Sequence, residues 1–302
     1  MDVRKKPSLS HRDIIELNFI RPHVKYCFRR HYRMGLRSHI MEVLRPQDLE
    51  AEKKGVVKEG IRYFPRARPI RMLRIFRTKF HSLEEAEEEL KRVKAVQKYL
   101  LPDMVAVSEE FLVDYKIKGG FEILLCGLQT YVEGEILDPW TPSQYHPVEA
   151  LLKRMLTKGD DSLENLHTIS HRASKNILGF VARIKKMIQE LQLVPDLAGV
   201  GNLLLTPQGH IMLVDINNIS RVSFSKIVPI DDRGYPVCDK SIQALYLLEK
   251  KCQGSSVCEQ EPLYQHFLNP VRMDKVRDLE RLFYTANLSN SSYKPETDLI
   301  AI

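Results

Sequence analysis

Residues 193–220 read LVPDLAGVGNLLLTPQGHIMLVDINNIS, and the polar residues of this stretch sit where its apolar runs begin and end. The runs at 203–205 and 211–214 flank Pro207, Gln208 and Gly209, a turn composition between two short strands, so the pattern predicts a β-hairpin. Asp196 lies just before the hairpin, Asn202 at its entrance and Asp215 at its exit. Two antiparallel strands joined by a short turn bring Asn202 and Asp215 close together, so that a carboxamide oxygen and a carboxylate face one small volume. Hard oxygen ligands of this kind suit Mg²⁺, which keeps several waters and is completed by substrate phosphates. Asp196, on the loop before the hairpin, is placed to orient or deprotonate a hydroxyl attacking a terminal phosphate.

Outward from this stretch the text divides in two. Upstream, Ile177, Phe180, Val181, Ile184, Met187, Ile188 and Leu191 recur at three- and four-residue steps and predict a largely buried helix over 173–191. VEALLKRML before it, and DKSIQALYLLEKK, EPLYQHFLN and RMDKVRDLERLFYTA after the hairpin, also read as helical, while the end LSNSSYKPETDLIAI is polar enough to fray. In the first half, PIRMLRIFRTKF reads as a strand. SLEEAEEELKRVKAVQKYLLP has Ser82 as a helix N-cap, with acidic residues in the first turns, basic ones later, and one apolar stripe through Ala86, Leu90, Val93, Val96 and Leu100. MVAVSEEFLVDY and FEILLCGLQTYVEGEIL, separated by Lys118, Gly119 and Gly120, read as β segments. Residues 11–45, interrupted by Pro22, read as two short helices packed on a larger body. The organisation is a basic helical extension at 1–45, a β-rich part with one long helix at 46–137, and a mainly helical part with the hairpin at 138–302.

The triplet Asp196, Asn202 and Asp215 resembles the catalytic core of the protein-kinase-like superfamily, which includes aminoglycoside and other small-molecule phosphotransferases. The resemblance is to a divergent, atypical or small-molecule-kinase-like bacterial type. It implies an α+β, two-lobed protein-kinase-like fold: a small β-rich N-lobe with one long helix, and a mainly helical C-lobe containing the catalytic β-hairpin. It implies that Asp196 acts on the acceptor hydroxyl and that Asn202 and Asp215 hold Mg²⁺. Arg74 stands where the family has a strand lysine, with Lys79 as the fallback, and Glu89 is its helix partner in gripping ATP. Gln129, Tyr131 and Glu133 resemble the hinge that meets the adenine edge, and Asp239 the aspartate that braces the catalytic loop. Gly55 and Gly60 are the glycines available for a phosphate loop. The function implied is an ATP- and Mg²⁺-dependent transfer of the γ-phosphoryl group to a hydroxyl acceptor, small molecule or protein. Val194 and Pro195 before Asp196, Ile216 and Asn217 after Asp215, and five residues rather than four between Asp196 and Asn202 depart from the family. They motivate the alternative of a pseudokinase, a regulatory or scaffold protein with or without nucleotide binding.

Other features bound the class. No apolar run approaches the roughly 18 residues that span a bilayer, and MDVRKKPSLSHRD lacks the apolar core of a secretory signal, so a cytoplasmic address is expected. The five cysteines are odd in number and scattered, which points to reduced thiols. Cys238, Cys252, Cys258 and His266 lack the spacing of a compact zinc site, and His167 with His171 read as surface residues. Residues 1–45 carry eleven Lys or Arg against four Asp or Glu, a balance that suits either docking on the rest of the protein or contact with a polyanion such as nucleic acid or acidic lipid.

Overall fold

The computed structural model describes residues 2–21, 25–32, 37–142, 147–156, 163–253 and 260–290. The chain is of mixed α and β structure and divides into two compact units, one of residues 1–135 with 210–214, the other of 136–209 with 215–302.

The first unit is built on a five-stranded antiparallel sheet. Its strands are β1 (Cys27–Arg30), β2 (Ser38–Leu44), β5 (Arg71–Phe76), β6 (Ser108–Ile117) and β7 (Gly120–Gln129), in the order β1-β2-β5-β7-β6. Between β2 and β5 the chain forms helix α2 (Pro46–Lys54) and a separate hairpin of β3 (Val56–Lys58) and β4 (Ile61–Tyr63). Strand alternation explains the layering. Met41 and Val43, Leu73 and Ile75, and Leu124 and Cys126 join one buried cluster. Glu42 and Arg74 fall on the intervening positions. Helix α3 (Leu83–Leu100) begins where Ser82 accepts a hydrogen bond from the Glu85 N–H at 3.3 Å, and its buried residues are Ala86, Val93, Val96 and Leu100. Gln97 on this helix donates to the Ser108 carbonyl of β6 at 2.8 Å.

Residues 1–45 are not a helical extension. Among the described residues of this segment, only a 3₁₀ turn (Val3–Lys5) and the short α1 (His11–Ile15), opened by a capping box between Ser10 and Asp13, are helical. Cys27–Arg30 and Ser38–Leu44 are instead strands of the main sheet. Met41 and Val43 of SHIMEVL face the core cluster, and Glu42 between them is satisfied across the strands, accepting from Arg29 at 2.7 Å and bonded to His31 at 2.8 Å. Residues 2–20 cover the sheet: Val3, Leu9, Ile14 and Leu17 enter its core cluster. Asn18 both donates to Asp114 and accepts from Lys116, which occupies part of the edge of β6. Gly55 and Gly60 also have structural jobs. Gly55 ends α2 at φ 74°, and Glu59 with Gly60 at φ 52° and 78° make the tight turn of the β3–β4 hairpin.

The second unit is mainly helical, with α4 (Pro147–Leu156), α5 (Leu163–Leu191), α6 (Val237–Gln253), α7 (Pro262–Phe267) and α8 (Pro270–Asn290). Ile177, Phe180, Val181, Ile184, Met187 and Ile188 of α5 are buried as the spacing predicts, but Leu191 at its end is exposed. The core is completed by Ile242, Leu245 and Leu248 of α6. Short strand β8 (Glu135–Ile136) marks the passage from the first unit, and the Leu137 N–H next to it donates to Leu203 of β10 (Leu203–Leu205) at 3.0 Å. β9 (Leu193–Pro195) pairs antiparallel with β12 (Ile219–Arg221). The two strands expected of the hairpin belong to different units: β10 to the second, and β11 (Ile211–Leu213) to the first, where Leu213 exchanges hydrogen bonds with Met104 and Ala106. The polar C-terminal tail from 291 and Cys258 lie outside the described residues. No helix among the described residues is long and apolar enough to cross a membrane.

If residues 2–20 are part of the sheet's core, Ile14→Ala should cost about 2–5 kcal/mol in urea unfolding, as a fully buried aliphatic truncation does. A free tail would give a change near zero.

Candidate functional site

The second unit brings Asp196, Asn202 and Asp215 into one locality. The pairing of Pro195 with Ile219 at the end of β9 sets Asp196 beside Asn218, whose side-chain amide donates to Asp196 Oδ2 at 3.2 Å. Asp196 Oδ1 accepts from the backbone N–H groups of Ala198 and Gly199 at 3.0 and 3.1 Å, so the side chain folds its own loop into a turn. Asn202 closes that turn: its N–H donates to the Gly199 carbonyl at 3.0 Å and its Nδ2 to the Asp196 carbonyl at 2.9 Å. The amide nitrogen is thereby committed to the loop, and Oδ1 remains as an acceptor.

The close seat of Asn202 explains a glycine. A Cβ on Gly199 would lie 2.6 Å from Asn202 Nδ2, so a side chain there would displace the carboxamide. Gly201, at φ 93°, takes the left-handed conformation just before Asn202. The loop is fixed from outside by two further bonds. The Leu197 N–H donates to Ser241 Oγ at 3.1 Å, and Trp140 Nε1 donates to the Ala198 carbonyl at 3.2 Å.

Asp215 accepts at Oδ1 from the Asn217 N–H at 3.3 Å, a second turn of the same type. Burial and then the negative charge of Asp215 push the Asp196 carboxyl up from its ordinary range to about 6, against the opposing effect of its N–H and Asn218 partners. Asp196 and Asp215 are two hard carboxylate donors within electrostatic reach of each other, with excess negative charge. Such a set fits a divalent cation such as Mg²⁺, which would relieve that repulsion.

Asp239 has a different role from the loop brace expected of it. Its buried carboxylate is gripped by Arg272, through Nε and, at 3.1 Å, through Nη2. Arg272 also donates to the Ser225 carbonyl at 2.7 Å, so the pair ties α6, α8 and the 222–236 segment together. The loop's own bond from α6 comes from Ser241, two residues on. Asn218, Ser241 and Trp140 were not readable as site residues. The only hint in the sequence was the pair Asn217–Asn218, separated from Asp215 by Ile216.

The remaining candidates lie in the first unit. Arg74 is fully buried, its guanidinium 5.3 Å from the Phe76 ring and within 3.4 Å of the Val214 carbonyl. Gln129, also buried, donates to the same carbonyl at 3.1 Å. Both side chains therefore hold the peptide group directly before Asp215. Glu89 is half-buried on α3 and lies 3.5 Å from Arg92. Lys79 is half-exposed and lies 3.9 Å from Asp2 and 3.6 Å from Glu122, so it belongs to a surface ion network with the N-terminal segment rather than to the inward face of β5. Tyr131 is half-buried, and burial with the charge of Glu133 raises its pKa, while Glu133 is exposed and pairs with Arg68 at 3.0 Å.

The sign of the Asp196 shift makes a prediction. A carboxyl raised by the fold contributes stability below its ordinary range, and that contribution is lost as pH rises through about 6. Asp215→Asn removes a neighbouring charge, so the midpoint of Asp196 should fall towards the ordinary carboxylate range in a carboxyl-carbon NMR titration. An unchanged midpoint would contradict the proximity of the two charges.

No family model matches the chain, and no curated protein does. Among solved structures it is similar to one described as "ROP18 kinase domain in complex with AMP-PNP and sucrose", with 10% sequence identity and a TM-score of 0.36 over 89% of this chain and 83% of that one. At that score the likeness carries no weight, and the functional reading rests on the geometry of the site.

Proposed function

We propose that the chain is a divergent, two-lobed kinase-like phosphotransferase that moves the γ-phosphoryl group of ATP to a hydroxyl acceptor. The observation that supports this reading is the mutual locking of Asp196 and Asn202 in one loop with the charge of Asp215 bearing on it. Asp215 and Asn202 are the residues that would hold Mg²⁺, which when bound neutralises phosphate charge. Asp196 accepts the proton of the acceptor hydroxyl as its oxygen bonds to the γ-phosphorus. The bond from that phosphorus to the bridging oxygen breaks, and ADP leaves with the electron pair. The two N–H groups on Oδ1 and the Asn218 amide on Oδ2 hold the carboxylate in orientation, and Oδ2, with one of its two acceptor sites used, keeps capacity for the hydroxyl. A base near 6 is ionised at neutral pH yet stronger than an ordinary aspartate, which suits general-base work.

In this reading Arg74 and Gln129, besides the nucleotide contacts assigned to them, fix the Val214 peptide that precedes Asp215. Glu89 is assigned to the phosphate grip with Arg74, and the segment of Tyr131 and Glu133 to the adenine edge. Residues 1–45 are assigned to the structure of the sheet rather than to polyanion binding.

The test is release of ADP from MgATP, with water or an added alcohol as acceptor. Asp215→Ala and Asp196→Asn should each lower kcat by at least about 10²-fold, with circular dichroism unchanged. Turnover equal to that of the parent chain in Asp215→Ala would overturn the assignment. Tight nucleotide binding without turnover in the parent would replace it with a non-catalytic nucleotide-binding role.

A further inference from the structure

On the sheet of the first unit lies a pocket of about 30 Å³ lined by Pro7, Ser8 and Leu9 of the N-terminal segment and by Arg30, His31, Ser38, His39, Ile40, Met41 and Arg77. Two arginines, two histidines and two serines line it, and none of the lining residues is acidic. Strand parity separates it from the nucleotide-binding residues assigned above. Arg30 lies two residues from Phe28, His39 two from Met41, and Arg77 two from Ile75, and those three apolar residues belong to the cluster under the N-terminal segment. Arg74 has the opposite parity on β5.

The pocket is built rather than incidental. Arg77 donates through Nη2 to the Pro7 carbonyl at 3.1 Å and lies 3.4 Å from His39 Nδ1, and His39 Nε2 meets the Val3 carbonyl at 2.9 Å. His39 is 6% exposed and Ser38 2%. With its Nε2–H donated to Val3, His39 offers Nδ1 as an acceptor to Arg77. Burial and the charge of Arg77 then hold its pKa down to about 4, so the ring is neutral. Arg30 and Arg77 bring permanent positive charge to the lining.

We propose that this pocket binds a small oxyanion of the phosphate class. Guanidinium groups present several donors in a planar fork that matches phosphate oxygens, and serine hydroxyls add neutral donors. The volume is of the size of a single oxyanion group. An anion bound there contacts both the Pro7–Ser8–Leu9 segment and strands β1 and β2, so it fastens the segment that covers the core.

The test is thermal unfolding of the full chain titrated with inorganic phosphate at constant ionic strength, with chloride as the compensating salt. The unfolding temperature should rise with phosphate but not with chloride, because a ligand of the folded state stabilises it by mass action. Arg77→Gln should shift the midpoint of that response at least about 10-fold towards higher phosphate. Arg30→Gln, a change at an exposed side chain that should leave folding intact, should weaken it in the same direction. A parallel titration with glycerol phosphate separates free phosphate from a phosphomonoester as the preferred form. The absence of a phosphate-specific shift, or an equal response in the parent and in Arg30→Gln, would overturn the proposal.

Discussion

Two carboxylates held within reach of each other's charge govern the second unit. Asp196 is pushed to about 6 by burial and by Asp215, and the fold opposes the cost with two N–H donors and an asparagine amide. The loop from Asp196 to Asn202 is shaped by those same bonds, so its backbone and its electrostatics cannot be separated. Gly199 is needed because Asn202 is seated against it. Ser241 and Trp140 fix the loop's backbone from α6 and from the segment before α4. Remote residues matter for the same reason: Arg74 and Gln129 spend buried polar groups on the Val214 carbonyl, one peptide away from Asp215.

Much of the chain's local structure was legible because local signals and burial agreed. Ser82 with the acidic first turn and a single stripe marked α3, and the three- and four-residue steps of Ile177 to Ile188 marked α5. The strands at 71–76 and 108–129 followed from apolar runs around Gly119 and Gly120. Asp196, Asn202 and Asp215 stood out because polar residues bounded apolar runs. Asn218, Ser241 and Trp140 did not, since each contributes one bond made by chain segments distant in sequence. The reading of Asp239 failed similarly. A carboxylate at a helix start has several possible partners, and only the packed structure shows that Arg272, from another helix, takes it.

The N-terminal 45 residues show how charge can disguise a strand. Basic residues scattered among apolar ones at 27–44 masked the strands, yet several bases of the N-terminal segment are met inside the unit. Arg29 is paired with Glu42 and Glu52, Arg4 with Asp2 and Glu122, and Lys6 with Asp13. A basic composition here reflects a segment laid over a sheet whose acids answer it. The partly buried pairs stabilise by position more than by number, since exposed ion pairs contribute little.

The central claim is that Asn202 and Asp215 form an oxygen site for a divalent cation beside the Asp196 loop. Its most direct test is Mn²⁺ binding followed by electron paramagnetic resonance, with a non-hydrolysable ATP analogue present. The account predicts saturable binding in the parent chain that is lost in Asp215→Ala and weakened in Asn202→Ala, both variants remaining folded by circular dichroism. Equal Mn²⁺ binding in the parent and in a folded Asp215→Ala chain would contradict it.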